Sequence, residues 1–250
     1  MIVEFYKKIG ETPLQSIERF KNENLEYKES KISYAGRLDP MAHGQLILLL
    51  DDSCKLQNTL HRLSKVYRFK MLFGLTTDTY DILGIFKQIT GSTNFTIEEI
   101  KSKLIDLKEK EYYQKYPPYS SYRLNGKPLW EWSKLGKIDE VYDLVESKKV
   151  SINNFTINGL EEVKGSELYK IVKNNITKLG EKEKKSFRAD KILKDWKFYF
   201  EKDEVMYQVF DIEIEVSSGT YIRSICNDIG KMLVSTAIAL DIERLKVNIN

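Results

Sequence analysis

The stretch Val205–Val216 constrains the fold more than any other part of the chain. From Phe210 onward it alternates strictly, with Phe210, Ile212, Ile214 and Val216 set against Asp211, Glu213 and Glu215. A period of two is that of a β-strand with one face buried and the other in water. A strand this long needs partners of similar reach. Tyr67, Phe69, Met71 and Phe73 repeat the pattern, so Lys65–Phe73 is expected to be one of them. Other strands are expected at Ile2–Tyr6, at Gln45–Leu50, at Ile82–Ile89, around Val150, Ile152, Phe155 and Ile157, and at Ile242–Val247.

Helical signals lie between these runs. Thr12-Pro13 reads as an N-cap with proline at the first helical position, and Leu14, Ile17, Phe20 and Leu25 follow at rough helical spacing. Phe95-Thr96-x-x-Glu99-Ile100 combines a capping box with a hydrophobic staple. Leu56, Leu60 and Leu63 mark another helix, Pro128–Leu135 a short one that stops at Gly136, and Leu168, Ile171, Val172 and Ile176 a further one. Ser217-Ser218-Gly219-Thr220 opens a helix through about Leu233. Lys31–His43, the segment after Pro117-Pro118 and the charged residues 180–191 read as loops. No repeat and no linker is evident, so residues 1–250 are expected to form one mixed α/β domain around a large sheet.

Some chemistries are disfavoured at this level. The longest apolar run, Leu46–Leu50, is strand-sized, so no membrane span is expected. The two cysteines, Cys54 and Cys226, are far apart, no CxxC occurs, and the chain has two histidines, so a metal site is not expected. The start MIVEFYKK enters a strand without a targeting pattern, which suits a reducing, cytoplasmic setting. Forty basic residues against 37 acidic give +3. Any affinity for nucleic acid must therefore come from cations gathered on one face.

Gly36-Arg37-Leu38-Asp39-Pro40 stands just before a buried strand. Proline keeps the preceding residue out of helical geometry, so such a loop can present one carboxylate in a fixed direction. Asp-Pro is also an ordinary turn dipeptide. Three later blocks change the balance. KISYAGRLDPMAHGQLILLL, KVYRFKMLFGLTTDTYDILG, YPPYSSYRLNGKPLWEW and SSGTYIRSICNDIG, in this order, resemble the four blocks of the TruB-type tRNA pseudouridine synthases. The resemblance runs from about Lys7 to Val247.

The resemblance implies the pseudouridine synthase fold (α+β), a large, mixed, mostly antiparallel sheet flanked by helices and loops. It implies that Asp39 is the catalytic carboxylate, acting as an anion in a reaction that breaks a carbon–nitrogen glycosidic bond, rotates the uracil and forms a carbon–carbon bond. No atoms are gained and nothing is oxidised, so no cofactor is expected. Arg223 matches the family arginine that pairs with the aspartate. Tyr67 matches the tyrosine against the target base, which must be flipped from its RNA fold to be reached. Tyr221 lies in the same block as Arg223. Asp78 and Asp81 match a T-D-T-x-D turn, read as structural or RNA-positioning. His43, Arg123 and Lys127 are further candidates for RNA contact, with solvated surface the plain reading for Arg123 and Lys127.

The chain departs from the family at two positions. Tyr34 stands where many members carry histidine, and is expected beside the extruded nucleotide. Arg37 stands where a small or hydroxyl residue is usual, which resembles enzymes acting on ribosomal RNA. Family members commonly continue into a small PUA domain, which is not expected here; the basic residues Lys182, Lys184, Lys185 and Arg188 are candidates to replace its contacts. The expected partner is RNA, most simply tRNA at uridine 55 of the TΨC loop, bound by a monomer. Ribosomal RNA as substrate, or a non-catalytic RNA-binding role, are the alternatives; retention of Asp39, Tyr67 and Arg223 together argues against the last.

Overall fold

The protein is seen here as a computed structural model, which describes residues 1–89 and 91–249. The alternating segments do form one sheet. Its strands are β1 (Ile2–Lys7), β2 (Ile32–Ala35), β3 (His43–Leu50), β4 (Lys65–Phe73), β11 (Ile152–Lys164), β12 (Met206–Val216) and β13 (Ala237–Val247). The order is β1-β3-β13-β4-β12-β11, with β2 also on β3. All pairings are antiparallel except β13 with β3. Ile214 lies opposite Tyr67 and Ile212 opposite Phe69, so the two alternating faces are in register.

Short ribbons carry the connections: β5 (Leu75–Thr77) with β6 (Phe86–Ile89), β7 (Tyr112–Lys115) with β10 (Ser147–Val150), and β8 (Arg123–Leu124) with β9 (Lys127–Pro128). The helices are α1 (Pro13–Glu23), α2 (Gln57–His61), α3 (Ile97–Glu109), α4 (Leu129–Lys134), α5 (Ile138–Val141), α6 (Gly165–Thr177), α7 (Glu181–Ser186), α8 (Ala189–Phe200) and α9 (Ile222–Met232). Among the described residues none is long and apolar enough to cross a membrane. The capping box expected at Thr96 forms, with Glu99 N donating to Thr96 Oγ1 at 3.2 Å, and the N-cap expected at Thr12 is itself a capping box, with Gln15 N donating to Thr12 Oγ1 at 3.2 Å. Phe69, Met71, Phe73, Ile212, Ile214, Ile225 and Ile229 lie in the main core, between the sheet and α9.

The structure corrects several expectations. Lys31–His43 is not all loop, since Ile32–Ala35 pairs with Ile47–Leu50. Only Phe86–Ile89 of the expected Ile82–Ile89 strand is extended; Ile82 and Leu83 lie in a turn held by Asp81. The helix expected at Leu56–Leu63 is limited to Gln57–His61. Residues 180–191 are not loop but α7 and the start of α8. The last strand begins at Ala237, because Ala237–Leu240 is buried on both sides and lacks alternation.

One feature of the sheet places the loop of Asp39. β2 covers β3 at Ile47–Leu50, while β13 covers the same edge at His43 and Gly44. The segment Gly36–Ala42 fills the fork between them. Gly44 has φ +107°, and a Cβ there would run into the Arg244 backbone, so only glycine allows β13 so close. Arg244, 1% exposed, donates from Nε to Gln45 O at 2.7 Å and from its Nη atoms to Arg37 O and Gly36 O at 3.3 Å each. Replacing Arg244 by Met keeps bulk but leaves three carbonyls without their donor. The expected loss is about 1–3 kcal/mol, read as a lower urea midpoint at unchanged m.

Candidate active site

The loop that offers Asp39 is tied down from below. Leu38, Met41 and Ala42 are buried, and Gly36 turns the chain at φ +80°. Ala42 N donates to Asp39 O at 3.0 Å, and Gly10 N to Pro40 O at 2.8 Å. Lys7, wholly buried, donates from Nζ to Ala42 O at 2.5 Å. Burial pushes the Lys7 ammonium down to about 7, against the pull of Asp39 and Glu11. With its backbone fixed, the Asp39 side chain is left 37% exposed.

Arg223 comes to it from the first turn of α9. Its Nε donates to Asp39 Oδ2 at 2.7 Å, Nη1 to Thr79 O at 2.7 Å and Nη2 to Tyr119 O at 3.3 Å. Asp81 Oδ2 is 3.6 Å from the same Nε. The Arg223 side chain is 3% exposed, so it is a fixed cation behind an accessible carboxylate. Asp81 is pushed up to about 6 by its burial, which outweighs the opposing pull of Arg223. Thr79 Oγ1 and Leu83 N donate to Asp81 Oδ1 at 2.9 and 2.8 Å.

Asp39, Arg37, Leu38, Tyr119, Ser121 and Arg223 form a wall between two cavities. The smaller, about 310 Å³, is lined by Tyr67, Tyr221, His61, Lys65 and Arg244. Burial pushes the Tyr221 phenol up to about 12 and the Lys65 ammonium down to about 8, and lowers His61 as well. Each of these groups is thus biased toward its neutral form. The larger cavity, about 440 Å³, is lined by Tyr34, Trp130, Lys134 and Arg188.

The residues expected from sequence therefore fall into three sets. Asp39, Arg223, Tyr67, Tyr221 and Arg37 converge, and Arg37 Nη1 donates to Ser121 Oγ at 2.5 Å. Tyr34 lines the other cavity from Tyr67 and also packs on the cluster of Ile17, Phe20 and Leu48. Asp78 is turned from the cavities: it holds Arg188 Nη1 at 2.5 Å and accepts from Tyr119 Oη at 3.2 Å. His43 is not brought to the site. It lies opposite Glu243, which lies opposite Arg68, so all three share the face of the sheet away from Tyr67. There His43 meets Tyr6 Oη at 2.7 Å and Asp241 at 3.2 Å. Arg123 and Lys127 lie on the exposed hairpin, closed by Asn125 and Gly126 at positive φ, and line neither cavity. Arg123 donates to Gly126 O at 2.6 Å, and Lys127 lies over the Trp132 ring at 5.2 Å. Sequence reading missed Lys7, Lys65, His61, Tyr119 and Arg244. Lys65 had a signal, since it sits two residues before Tyr67 on an alternating strand.

Residues 24–164, more than half of the chain, match the N-terminal domain of the TruB family of pseudouridylate synthases. The chain belongs to that family. Among curated relatives, it is 30% identical to tRNA pseudouridine synthase B of Lactobacillus acidophilus, over 86% of this chain and 58% of that protein. It is 29% identical to the enzyme of the same name from Thermotoga maritima, over 98% of this chain and 62% of that protein. For Endomicrobium trichonymphae the figures are 28%, 88% and 74%. Among solved structures, a Cbf5-Nop10-Gar1 complex contains a similar chain: TM-score 0.58, 15% identity, 98% of this chain and 48% of that one. That likeness bears on the fold, which is the mixed sheet with helices expected of the TruB family.

The raised Asp81 makes a pH-dependent contribution. The folded state holds its proton up to about pH 6, whereas an unfolded aspartate loses it near ~4. Between these values the native state binds more protons, so this group's contribution to stability falls as pH rises. The stability of Asp81→Asn relative to the parent is therefore expected to improve from pH 4.5 to 6.5, by on the order of 1–2 kcal/mol. Urea midpoints of both proteins at the two pH values test this; a difference independent of pH would contradict it.

Proposed function

We infer that this chain is a tRNA pseudouridine synthase that converts uridine to pseudouridine, at uridine 55 of the TΨC loop. The observation that carries the reading is the 2.7 Å bond from a buried Arg223 to an accessible Asp39 beside a cavity faced by Tyr67. Three relatives bearing the name tRNA pseudouridine synthase B support the substrate.

In this reading the target uridine leaves its stack and enters the smaller cavity, where the Tyr67 ring supports the base. Arg223 holds one carboxylate oxygen of Asp39 and leaves the other facing outward. The anion serves as nucleophile or base at the sugar or the ring while the glycosidic C–N bond breaks. Uracil then turns within the closed space and C5 bonds to C1′; C5 gives up its proton to a base or to solvent and N1 takes one up, so the product is an isomer of the substrate. Residues 1–250 act as one catalytic domain, and Tyr34 packs beside the path of the extruded nucleotide.

Asp39→Asn is the direct test. Asparagine is nearly isosteric but cannot be an anion. Release of tritium from RNA labelled at C5 of uridine is expected to fall to background, while RNA binding persists. Product formation at the parental rate would refute the assignment.

A further inference from the structure

The matched region ends at residue 164, and α6, α7 and α8 follow before β12 returns to the sheet. These helices pack on the core through Leu168, Val172, Ile192, Trp196 and Phe200. The turn between α7 and α8 brings Phe187 and Arg188 into the wall of the larger cavity. Arg188 sits there in the left-handed region at φ +61°, uncommon for a residue with a long side chain. Its guanidinium lies over the Tyr119 ring at 4.6 Å and binds Asp78 through two N–H groups, at 2.5 and 3.3 Å. A guanidinium has five such donors, and the buried Nε–H has no partner.

Two more cations from separate segments face the same cavity. Lys134 of α4 lies over the Trp130 ring at 4.9 Å and donates to Ser186 Oγ at 2.8 Å. Arg37 stands on the dividing wall. Among the described residues neither has a carboxylate within 4.0 Å. The acids of this cavity, Asp39 and Asp81, are both directed at Arg223. Cations interleaved with aromatic rings in a cleft of about 440 Å³ are the chemistry that holds an unpaired nucleotide by its phosphodiester and base. An acidic peptide would not use the rings, and a free phosphate would not fill the space.

We propose that the larger cavity is a second nucleotide site, in which Arg188 and Lys134 bind the phosphodiester of the residue adjoining the target uridine. This rests on the reading that the smaller cavity receives that uridine. Arg188 is then a positioning residue: Asp78 and Tyr119 hold its fork, and the Nη N–H groups that Asp78 leaves free meet the backbone. The site lets a helical excursion outside the matched region set the register of the RNA against Asp39.

The test uses the full chain and a hairpin RNA carrying the TΨC-loop sequence. Arg188→Gln is expected to weaken RNA binding roughly 10-fold, as for loss of a charge-assisted phosphate contact, and to lower the slope of log K against log salt by about 0.7. Lys134→Gln, an exposed change, is expected to act in the same direction with an unchanged melting temperature. A neutral methylphosphonate is then placed at each linkage flanking the target in turn. At one linkage it should weaken the parent but not Arg188→Gln, a coupling that mere loss of folding would not produce. Active parent protein with both variants binding normally, or with additive effects at every linkage, overturns this proposal and leaves the assigned function standing. Parent protein that neither binds nor modifies RNA overturns both.

Discussion

Everything at the site depends on one buried guanidinium. Taking Arg223 out of water costs several kcal/mol unless its donors are all met. Each of its three nitrogens is met, from three segments: Asp39 from the loop before β3, Thr79 and Asp81 from the turn after β5, and Tyr119 from the segment after β7. The seat of the arginine is therefore made jointly by α9 and these three segments. Of the two carboxylates, Asp39 is the more exposed, 37% against 7% for Asp81, which makes it the one available for chemistry.

A second set of cations works without carboxylates. Lys7, Lys65 and Arg244 are each 5% exposed or less, and their bonds go to main-chain carbonyls. Lys7 and Arg244 fix the loop of Asp39, and Lys65 fixes the turn before β4. Acids and bases instead pair on the opposite face, as Arg68 with Asp211 at 2.7 Å and Lys70 with Glu161 at 2.6 Å. A net charge of +3 thereby hides a segregation: ion-paired ladders on one side of the sheet, and enclosed basic side chains bonded to carbonyls on the other. Such an arrangement favours a polyanion at the cleft without making the whole surface basic.

The long strands and both helix starts were legible in the sequence because each carries a local rule: alternation for the strands, Thr-Pro for α1, and paired Thr and Glu for α3. The loop of Asp39 was legible for a similar reason, since Gly36 and Pro40 restrict its backbone. β2 was not, because four residues are too few to show a period. α7 and α8 were hidden by charge: EKEKKS reads as solvated loop, although Ile192, Trp196 and Phe200 repeat at helical spacing just beyond it. The buried lysines were missed because lysine is seldom enclosed, and no local pattern marks the exception. His43 was misplaced by trusting proximity in sequence to Asp39. Four residues of loop and strand suffice to carry a side chain to the other face of the sheet.

The split edge of β3 explains why one loop can serve two cavities. β2 and β13 approach the same edge from opposite ends and leave a gap that neither fills. A loop that spans such a gap has two sides, one toward Tyr67 and one toward Tyr34. Its own side chains divide the labour: Leu38 and Met41 point into the core, and Asp39 stands on the rim between the cavities. RNA with one base on either side would then straddle the carboxylate. Because Lys7 and Arg244 hold the loop by its carbonyls, a nucleotide pressing on one side has little freedom to displace Asp39 from the other. On the proposed reading, the rigidity that two enclosed basic side chains give the loop would fix the distance between a flipped base and the neighbour it leaves behind.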